Sequence, residues 1–477
     1  MHFVVYVNGI VMVFLAALMG LDALFFRETA VHFLTSAVIV GCVGGLMAIA
    51  TANRRDRVHR LHLFLMTSSV WLVAALVGAI PLEFWGMHAV DAIFEAMSGI
   101  TTTGSTVMSG LDQTPKGIIF WRALLQALGG VGFIVTGIAM LPFLKVGGMQ
   151  LFRTESSDKG DKEVRNAATF ASSTLKIYVC LIGVCALLYL AGGMSGFDAI
   201  THAMTTLSTG GYSGYDASFG HFDSAYLQWV CTLFMLLGAL PFAWYIRVIL
   251  RRTVRSEQVN AMLISLTAVI LPMAAWLALH QQIDLLTALR MVAFNVVSVV
   301  TTTGYATTDY TLWGPFAVMG FFILTATGGC TGSTAGGGKA MRWLIAARAI
   351  WASLKKVRSP NRISEVYFEG RRVEPDVMSG VVSFLVFYAI TFGLMSAALT
   401  MLGLDLSTAT SGALTALANV GPGVGEIIGP AGNFATLSAP VKAVLTFGMY
   451  LGRLEMLTVF VLFTPLFWRE VLVDTRN

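Results

Sequence analysis

Thr101-Thr102-Thr103-Gly104 is the first of four Gly-ending loops that each follow an apolar segment too short to span a bilayer. The others are Leu207-Ser208-Thr209-Gly210, Thr301-Thr302-Thr303-Gly304 and Ala418-Asn419-Val420-Gly421. A spanning helix needs about 20 apolar residues, whereas these segments offer roughly 10 to 16. Four half-crossings with similar tips predict one pore built by one chain.

The composition places the whole chain in a membrane. Of its 477 residues, 56% are hydrophobic and only 12% are charged. Apolar runs long enough to span recur from end to end, and no polar segment is long enough for a separate soluble domain. The first run, 3–26, lacks a basic leader and is interpreted as a retained helix rather than a signal peptide. The five cysteines show no metal-ligand spacing and are interpreted as packed thiols.

The positions of the basic residues predict the topology. Most of the 31 Lys and Arg fall in 53–60, 145–165, 247–255, 339–372 and the tail from Arg469. The positive-inside rule makes these regions, and both termini, cytoplasmic. This placement explains the net charge of +5 without a nucleic-acid partner. The segment 339–372 suits either a docking face for a partner or a contact with lipid headgroups.

The runs predict two N-terminal spans, 3–26 and 33–52, followed by four parallel units around a pseudo-fourfold axis. Each unit has an outward span, a short segment, a loop and a return span. The outward spans are 62–82, 170–192, 260–280 and 378–403, and the return spans are 117–144, 224–250, 313–351 and 438–468. The predicted domains are 1–56 (hairpin), 57–152, 153–256, 257–372 and 373–477 (pore repeats 1 to 4). The loops recur about every hundred residues.

Acidic residues mark the beginning of the short segments. Asp91, Asp198, Asp284 and Asp405 can cap free amides there, and the opposite helix end directs partial negative charge at the tips. The spacing repeats too, because Phe94, Glu95 and Ser98 precede Gly104 by the same intervals as Phe294, Asn295 and Ser298 precede Gly304.

The tips favour a monovalent cation. Glycine and small hydroxyl residues expose uncharged oxygens, whereas a divalent filter more often presents carboxylates. The alternative is that each loop merely ends a helix, which four matching copies make less plausible. The candidate filter residues are Thr102, Thr103, Gly104, Ser208, Thr209, Gly210, Thr302, Thr303, Gly304, Asn419, Val420 and Gly421.

A second glycine-rich stretch, 327–338, interrupts the third return span. It cannot stay helical, since each glycine costs up to about 1 kcal/mol relative to alanine. It is not a phosphate-binding loop, because Ser333 replaces the first glycine of that motif and Ala340 replaces its hydroxyl. We therefore predict either a flexible gate or a passive kink, built from Gly328, Gly329, Gly332, Gly336, Gly337 and Gly338.

Arg453 is the third distinctive feature, because it lies deep in the fourth return span. A charge at such depth tends to face a cavity or a partner, which favours a role beneath the filter. An ion pair with Glu455 is the alternative. Arg122 and Arg290 lie nearer to the expected interfaces, where snorkelling would explain them.

These residues carry a resemblance. The tips at 101–106, 208–213, 301–307 and 419–425 resemble the selectivity loops of the TrkH family of potassium-uptake membrane subunits, and the similarity covers the whole chain. It includes the N-terminal hairpin that sets this branch apart from the shorter Ktr branch.

The resemblance implies a potassium transporter of the bacterial inner membrane. It implies a homodimer that works with a cytosolic nucleotide-binding regulatory subunit of the TrkA type, while this chain itself binds no nucleotide. The implied filter glycines are Gly104, Gly210, Gly304 and Gly421. A glycine in the first loop accompanies potassium selectivity, whereas serine there accompanies sodium transport in some relatives. The family also places a gating loop at the glycine-rich break and an arginine at the position of Arg453.

Other functions are weighed against this one. The scattered histidines and acids match no catalytic motif, so we expect no enzyme. A secondary transporter of another solute would also have discontinuous helices, but it generally has inverted repeats and charged ligands. A membrane receptor or scaffold would not need four half-crossings. The expected driving force is the membrane potential, with proton coupling left open.

Overall fold

The computed structural model describes residues 2–53, 60–140, 163–359, 361, 364–465 and 467–469. The described part is helical apart from one short β-hairpin. The first two helices, α1 (His2–Phe25) and α2 (Ala30–Thr51), pack along each other. Glycines allow this close approach, because a methyl group built on Gly9 would lie 2.8 Å from the Gly44 carbonyl oxygen.

Four similar units follow, each made of a long helix, a short helix, a loop and a return segment. The long helices are α3 (Arg60–Trp85), α6 (Glu163–Ala191), α10 (Glu257–Gln281) and α14 (Pro375–Met401). The short helices are α4 (Ala89–Ile100), α7 (Gly196–Leu207), α11 (Leu285–Val300) and α15 (Leu406–Ala418).

The return segments differ from unit to unit. They are α5 (Lys116–Met140), α8 with α9 (Ala225–Gly238 and Phe242–Arg251), α12 with α13 (Pro315–Thr325 and Ala340–Arg358), and α16 with α17 (Ala439–Arg453 and Leu457–Phe460). Between α13 and α14, strands β1 (Tyr367–Phe368) and β2 (Arg371–Arg372) pair antiparallel.

The predicted spans are confirmed for the first hairpin and the outward helices. Six described helices are long and apolar enough to cross a membrane, namely α1, α2, α3, α6, α10 and α14. The predicted all-α multi-span architecture is therefore correct, and so is the break in the third return span, which falls between Thr325 and Ala340.

Two return spans were wrongly predicted as continuous. The second bends by 90° between Gly238 and Phe242, where Pro241 disfavours helical geometry in the residue before it. The fourth bends by 105° after Arg453, where Glu455 adopts a left-handed backbone with φ 55°. No run of glycines in the sequence predicts either bend.

Several predictions stand without a test. The domain boundaries after residues 56 and 152 lie outside the described residues, and those after 256 and 372 stay predictions. Most of the basic stretches 53–60 and 145–165, and the tail beyond 469, also lie outside the described residues.

The short helices begin as predicted in two units. Asp284 accepts hydrogen bonds from the amides of Leu286 and Thr287, and Asp405 accepts one from Thr408. The other two acids, Asp91 and Asp198, lie in the first turn, where they suit the helix dipole as predicted but are not the capping residues. Ser195 caps α7 in place of Asp198.

Asp91 closes the arrangement of units instead of capping. Its carboxylate lies 2.7 Å from the Lys442 ammonium of α16, so the fourth unit is tied to the first. The Lys442 ammonium also donates to the Ala435 carbonyl at 2.9 Å and is buried. A buried charge with both partners is strongly held in place.

Removing this link should destabilise the protein. Asp91→Ala leaves the buried Lys442 charge without its counter-ion, which should cost about 3 kcal/mol. The matched control is Asp284→Ala, which removes only a helix cap and should cost about 1 kcal/mol. Thermal unfolding in detergent measures both, and equal melting temperatures for the two variants would contradict the closing role of Asp91.

Candidate cation filter and gate

The four tips share one backbone shape. Where each short helix ends, one residue takes a left-handed conformation with φ between 52° and 58°. These residues are Thr102, Thr209, Thr302 and Asn419. The turn lets the following amide bond back to the helix, as when Thr103 donates to the Ser98 carbonyl at 2.8 Å and Thr303 to that of Ser298 at 2.8 Å. The carbonyl of the residue after each left-handed residue therefore points away from its own helix.

The tips contact one another in a closed ring. A second left-handed residue in each loop is a glycine, with φ of 87°, 74°, 82° and 106° at Gly104, Gly211, Gly304 and Gly421. A methyl group built on each would collide with a carbonyl of the next loop, in turn that of Gly210, Thr303, Val420 and Thr103. The order of contacts runs from loop 1 to loop 4 and back to loop 1. Only glycine fits at these positions, both for φ and for space.

This ring shifts the predicted register of loop 2 by one residue. Gly211, not Gly210, takes the position of Gly104 and Gly304, because Thr209 rather than Ser208 is the first left-handed residue. Gly210 corresponds instead to Thr103 and Thr303. Ser208 ends the short helix and does not join the ring of tips.

A signal in the sequence supports the corrected register. With Gly211 as the reference, the position six residues earlier holds a small hydroxyl residue in every unit, and these residues are Ser98, Thr205, Ser298 and Thr415. With Gly210 that position is Met204. Counting backward from the tip would have found the register, whereas the shared Ser-Thr-Gly pattern obscured it.

Hydroxyl pairs stiffen loops 1 and 3. The Thr101 and Thr103 hydroxyl oxygens lie 2.7 Å apart, and those of Thr301 and Thr303 lie 2.8 Å apart. Asn419 replaces this arrangement in loop 4. Its amide donates to the Thr103 hydroxyl at 3.0 Å and to the Met449 carbonyl at 2.9 Å.

Arg122 was predicted to snorkel, and this is wrong. It is buried and forms an ion pair of 2.8 Å with Glu95, which is also buried. Its guanidinium donates to the Ser213 carbonyl at 2.9 Å and lies 4.1 Å from the ring centre of Tyr212. Glu95 accepts a bond from the Val107 amide at 3.0 Å. The pair fastens loops 1 and 2 together, and no local pattern announces a partner 27 residues away.

On one side the ring opens into a cavity of about 310 Å³. All four ring glycines line it, together with Ser105, Thr106, Tyr212, Ser213 and Pro422. Its walls combine backbone and hydroxyl oxygens with the charged side chains of Arg122 and Asp216, and the oxygens suit a partly hydrated cation. Among the described residues, no cluster of three or more His, Cys, Asp or Glu could hold a metal.

The glycine-rich stretch contacts the filter tips themselves. The Gly336 amide donates to the Thr302 hydroxyl at 2.7 Å, and the Thr209 hydroxyl lies 3.1 Å from that of Thr334. A methyl group built on Gly336 would collide with the Ala418 carbonyl. The stretch thus contacts loops 2, 3 and 4 at their first left-handed residues or beside them.

The ends of this stretch are drawn together. The backbones of Gly328 and Gly337 are so close that a methyl group on either would overlap the other. The remaining glycines anchor the stretch to its neighbours. Gly332 accepts a bond from the Phe242 amide, Gly329 accepts one from Ala340, and Gly338 donates to Ala326.

Arg453 holds the stretch from the opposite side. Its guanidinium donates to the Thr334 carbonyl at 3.0 Å and to the Gly129 carbonyl at 2.8 Å, and it is buried. The predicted alternative partner, Glu455, lies 2.7 Å from Arg342 on α13. The bend after α16 therefore directs Arg453 at the glycine-rich stretch and Glu455 at the helix that follows it.

A ring of four re-entrant tips with uncharged linings, enclosed by spanning helices, defines a cation-transporting membrane protein. Comparisons with known proteins agree. A family profile described as "TrkH: Cation transport protein" matches residues 30–279 and 259–470. The chain belongs to the TrkH family, which confirms the expectation of a transport protein rather than an enzyme.

Individual relatives cover nearly the whole chain. The potassium uptake protein TrkI of Halomonas elongata is 44% identical over 92% of this chain and 91% of its own length. TrkH of Escherichia coli is 34% identical over 94% of this chain and 95% of its own. The crystal structure of the potassium transporter TrkH from Vibrio parahaemolyticus superposes with a TM-score of 0.89 at 29% identity, covering 98% of this chain and all of that one.

The register of loop 2 is testable by two neighbouring substitutions. Gly211→Ala forces a side chain into a left-handed residue against the Thr303 carbonyl, whereas Gly210→Ala meets only the end of the Gln126 side chain. We expect Gly211→Ala to abolish rubidium uptake into liposomes and Gly210→Ala to reduce it less. If Gly210→Ala reduced uptake more than Gly211→Ala, the ring position of loop 2 would belong to Gly210.

Proposed function

We propose that this chain takes up potassium through the ring of four tips. The observation that carries the proposal is the closed order of contacts among Gly104, Gly211, Gly304 and Gly421, in which each glycine adjoins an uncharged backbone carbonyl of the next loop. Carbonyl oxygens in such a ring replace the water around a dehydrated monovalent cation. The printed names of the relatives, which describe potassium uptake proteins and a potassium transporter, support the same cargo.

The electrostatics of the site fit an inward flow of cations. The C-terminal ends of the four short helices face the tips, so their partial negative charges favour a cation there. The membrane potential supplies about 2.3 kcal/mol per charge at 100 mV, enough for roughly fiftyfold accumulation without a second ion. Proton coupling is not needed for uptake of that size.

The orientation follows from charge. Basic residues concentrate on α13 and beyond, which makes that side of the chain cytoplasmic by the positive-inside rule. Both termini then lie in the cytoplasm of a bacterial cell and the tip cavity faces outward. The glycine-rich stretch lies on the cytoplasmic side of the tips.

The glycine-rich stretch and Arg453 form the gate in this proposal. The stretch covers the inner side of loops 2, 3 and 4, and Arg453 adds a positive charge where a cation must leave the filter. Both raise the barrier to conduction. The contacts with the tips favour this role over a passive kink.

A cytosolic partner would act on this gate through α13. That helix begins at Ala340, directly after the stretch, and ends in Lys355, Lys356 and Arg358. Arg342 near its start is buried against Glu455 and lies 3.8 Å from the ring centre of Phe384. A nucleotide-binding regulatory subunit that moves α13 would therefore move the gate. We propose that this subunit works with a homodimer of the chain.

The filter assignment is tested by Gly104→Ser. The added side chain would collide with the Gly210 carbonyl of the next loop, so the ring must widen and lose its preference for potassium over sodium. Flux of potassium, rubidium and sodium into proteoliposomes measures this preference. Gly110→Ser is the matched control, because Gly110 has φ 72° but open space around it. An unchanged preference in Gly104→Ser would show that the filter lies elsewhere.

The gate is tested by Arg453→Ala. Loss of the charge and of the bond to the Thr334 carbonyl should increase potassium flux in the absence of any partner. A shortened 328–338 stretch should do the same. Lys116→Ala is the control, because Lys116 is a cation at the start of α5 that lies 5.4 Å from the ring centre of Phe197 and has no described contact with the stretch. If flux stays at the wild-type level in both gate variants, these residues do not form the gate.

A further inference from the structure

We propose that Gln126 on α5 is a positioning residue of the filter, which replaces in loop 2 the side chain that a threonine supplies in loops 1 and 3. The inference rests on the proposed filter. It concerns how the Gly210 carbonyl is held, and no sequence pattern predicted it.

Gln126 holds both sides of one peptide stretch in loop 2. It is fully buried, and its amide nitrogen donates to the Gly210 carbonyl at 2.7 Å. Its amide oxygen accepts a bond from the Tyr212 backbone at 3.0 Å. Because a backbone N–H only donates, this second bond fixes which end of the Gln126 amide faces Gly210.

Of the four loops, loop 2 alone has a glycine, Gly210, directly before its ring glycine. The corresponding residues are Thr103, Thr303 and Val420, and both threonines bond a second hydroxyl within their own loop. Loop 2 has no side chain here. A methyl group built on Gly210 would collide with the Gln126 carboxamide, so the space left by the missing side chain is filled from the neighbouring unit.

Three of the four return segments, α5 included, can be compared at matching positions. Each of these three carries a glycine against the carbonyl of the residue four positions before a ring glycine, and these glycines are Gly129, Gly238 and Gly452. Three residues before them stand Gln126, Met235 and Met449, all buried. Seven residues before them stand Arg122, Cys231 and Leu445. Only the first unit of these three has polar groups at both positions.

Gln126 and Arg122 lie one helical turn apart and act on the same loop. Arg122 holds the Ser213 carbonyl, and Gln126 holds Gly210 and Tyr212. The Gly210 carbonyl adjoins Gly104 of loop 1, so its position sets the width of the ring on that side. A carbonyl tied to an amide donor is also less free to follow a smaller ion. Potassium preference therefore depends on a residue that does not line the passage.

The first test replaces Gln126 with methionine, the residue at the matching position of the second and fourth return segments. Gln126→Met should lower the flux ratio of potassium over sodium in proteoliposomes about tenfold, as a differential of about 1.4 kcal/mol would. Gln126→Glu is the second variant. It keeps the shape and the bond from Tyr212 but loses the donor to Gly210, so its ratio should fall as well. Gln228→Met is the control, since buried Gln228 donates at 3.4 Å to Phe222 rather than to a tip.

The exchange itself gives the second test. Gly210→Thr should remove potassium flux while Gln126 is present and regain part of it in the Gly210→Thr, Gln126→Ala double variant, because loss of the Gln126 carboxamide then gives the threonine room. A purely structural role for Gln126 would not produce this recovery. Monodisperse elution of each variant establishes that it is folded.

The outcomes separate the two proposals. If Gly104→Ser changes the ion preference but neither Gln126 variant does, and the double variant regains nothing, the positioning role of Gln126 is overturned. If Gly104→Ser also leaves the preference unchanged, the filter itself is misassigned. A changed ratio in Gln126→Glu with recovery in the double variant supports the inference.

Discussion

A backbone that turns back inside a bilayer must find partners for its polar groups within the protein, and the structure depends on that constraint. The short helices satisfy it at their ends through left-handed residues such as Thr102 and Thr302, which return the next amides to the helix. The carbonyls beyond the turn then point away from their own helix. Because the four loops meet, carbonyls of each loop adjoin the ring glycine of another, so the same turn that completes a helix also shapes the proposed filter.

The four loops meet this need with different groups, which makes the ring pseudosymmetric rather than symmetric. Loops 1 and 3 use paired threonine hydroxyls, loop 4 uses Asn419, and loop 2 uses Gln126 from the preceding unit. The loops can differ in this way because one chain supplies all four of them. Each substitution in one unit is compensated by a neighbour and need not be repeated four times.

The four tips and the glycine-rich stretch are physically continuous. Thr334 and Gly336 bond the same left-handed threonines that shape loops 2 and 3, and Arg453 bonds Thr334 from the other side. If the stretch is the gate, as proposed, opening it breaks bonds made by the tips. Glu455 and Arg342 extend this link to α13, so a movement of α13 has a direct route to the tips.

The sequence by itself determined the spans, the four half-crossings, the glycine-rich break and the depth of Arg453, because hydropathy, glycine content and helix length are properties of contiguous residues. Only the tertiary structure decided the register at Gly211, the burial of Arg122 against Glu95, the bends after Gly238 and Arg453, and the use of Gln126. These features depend on groups contributed by other units. A local pattern cannot show which buried partner will satisfy a carbonyl 84 residues further along the chain.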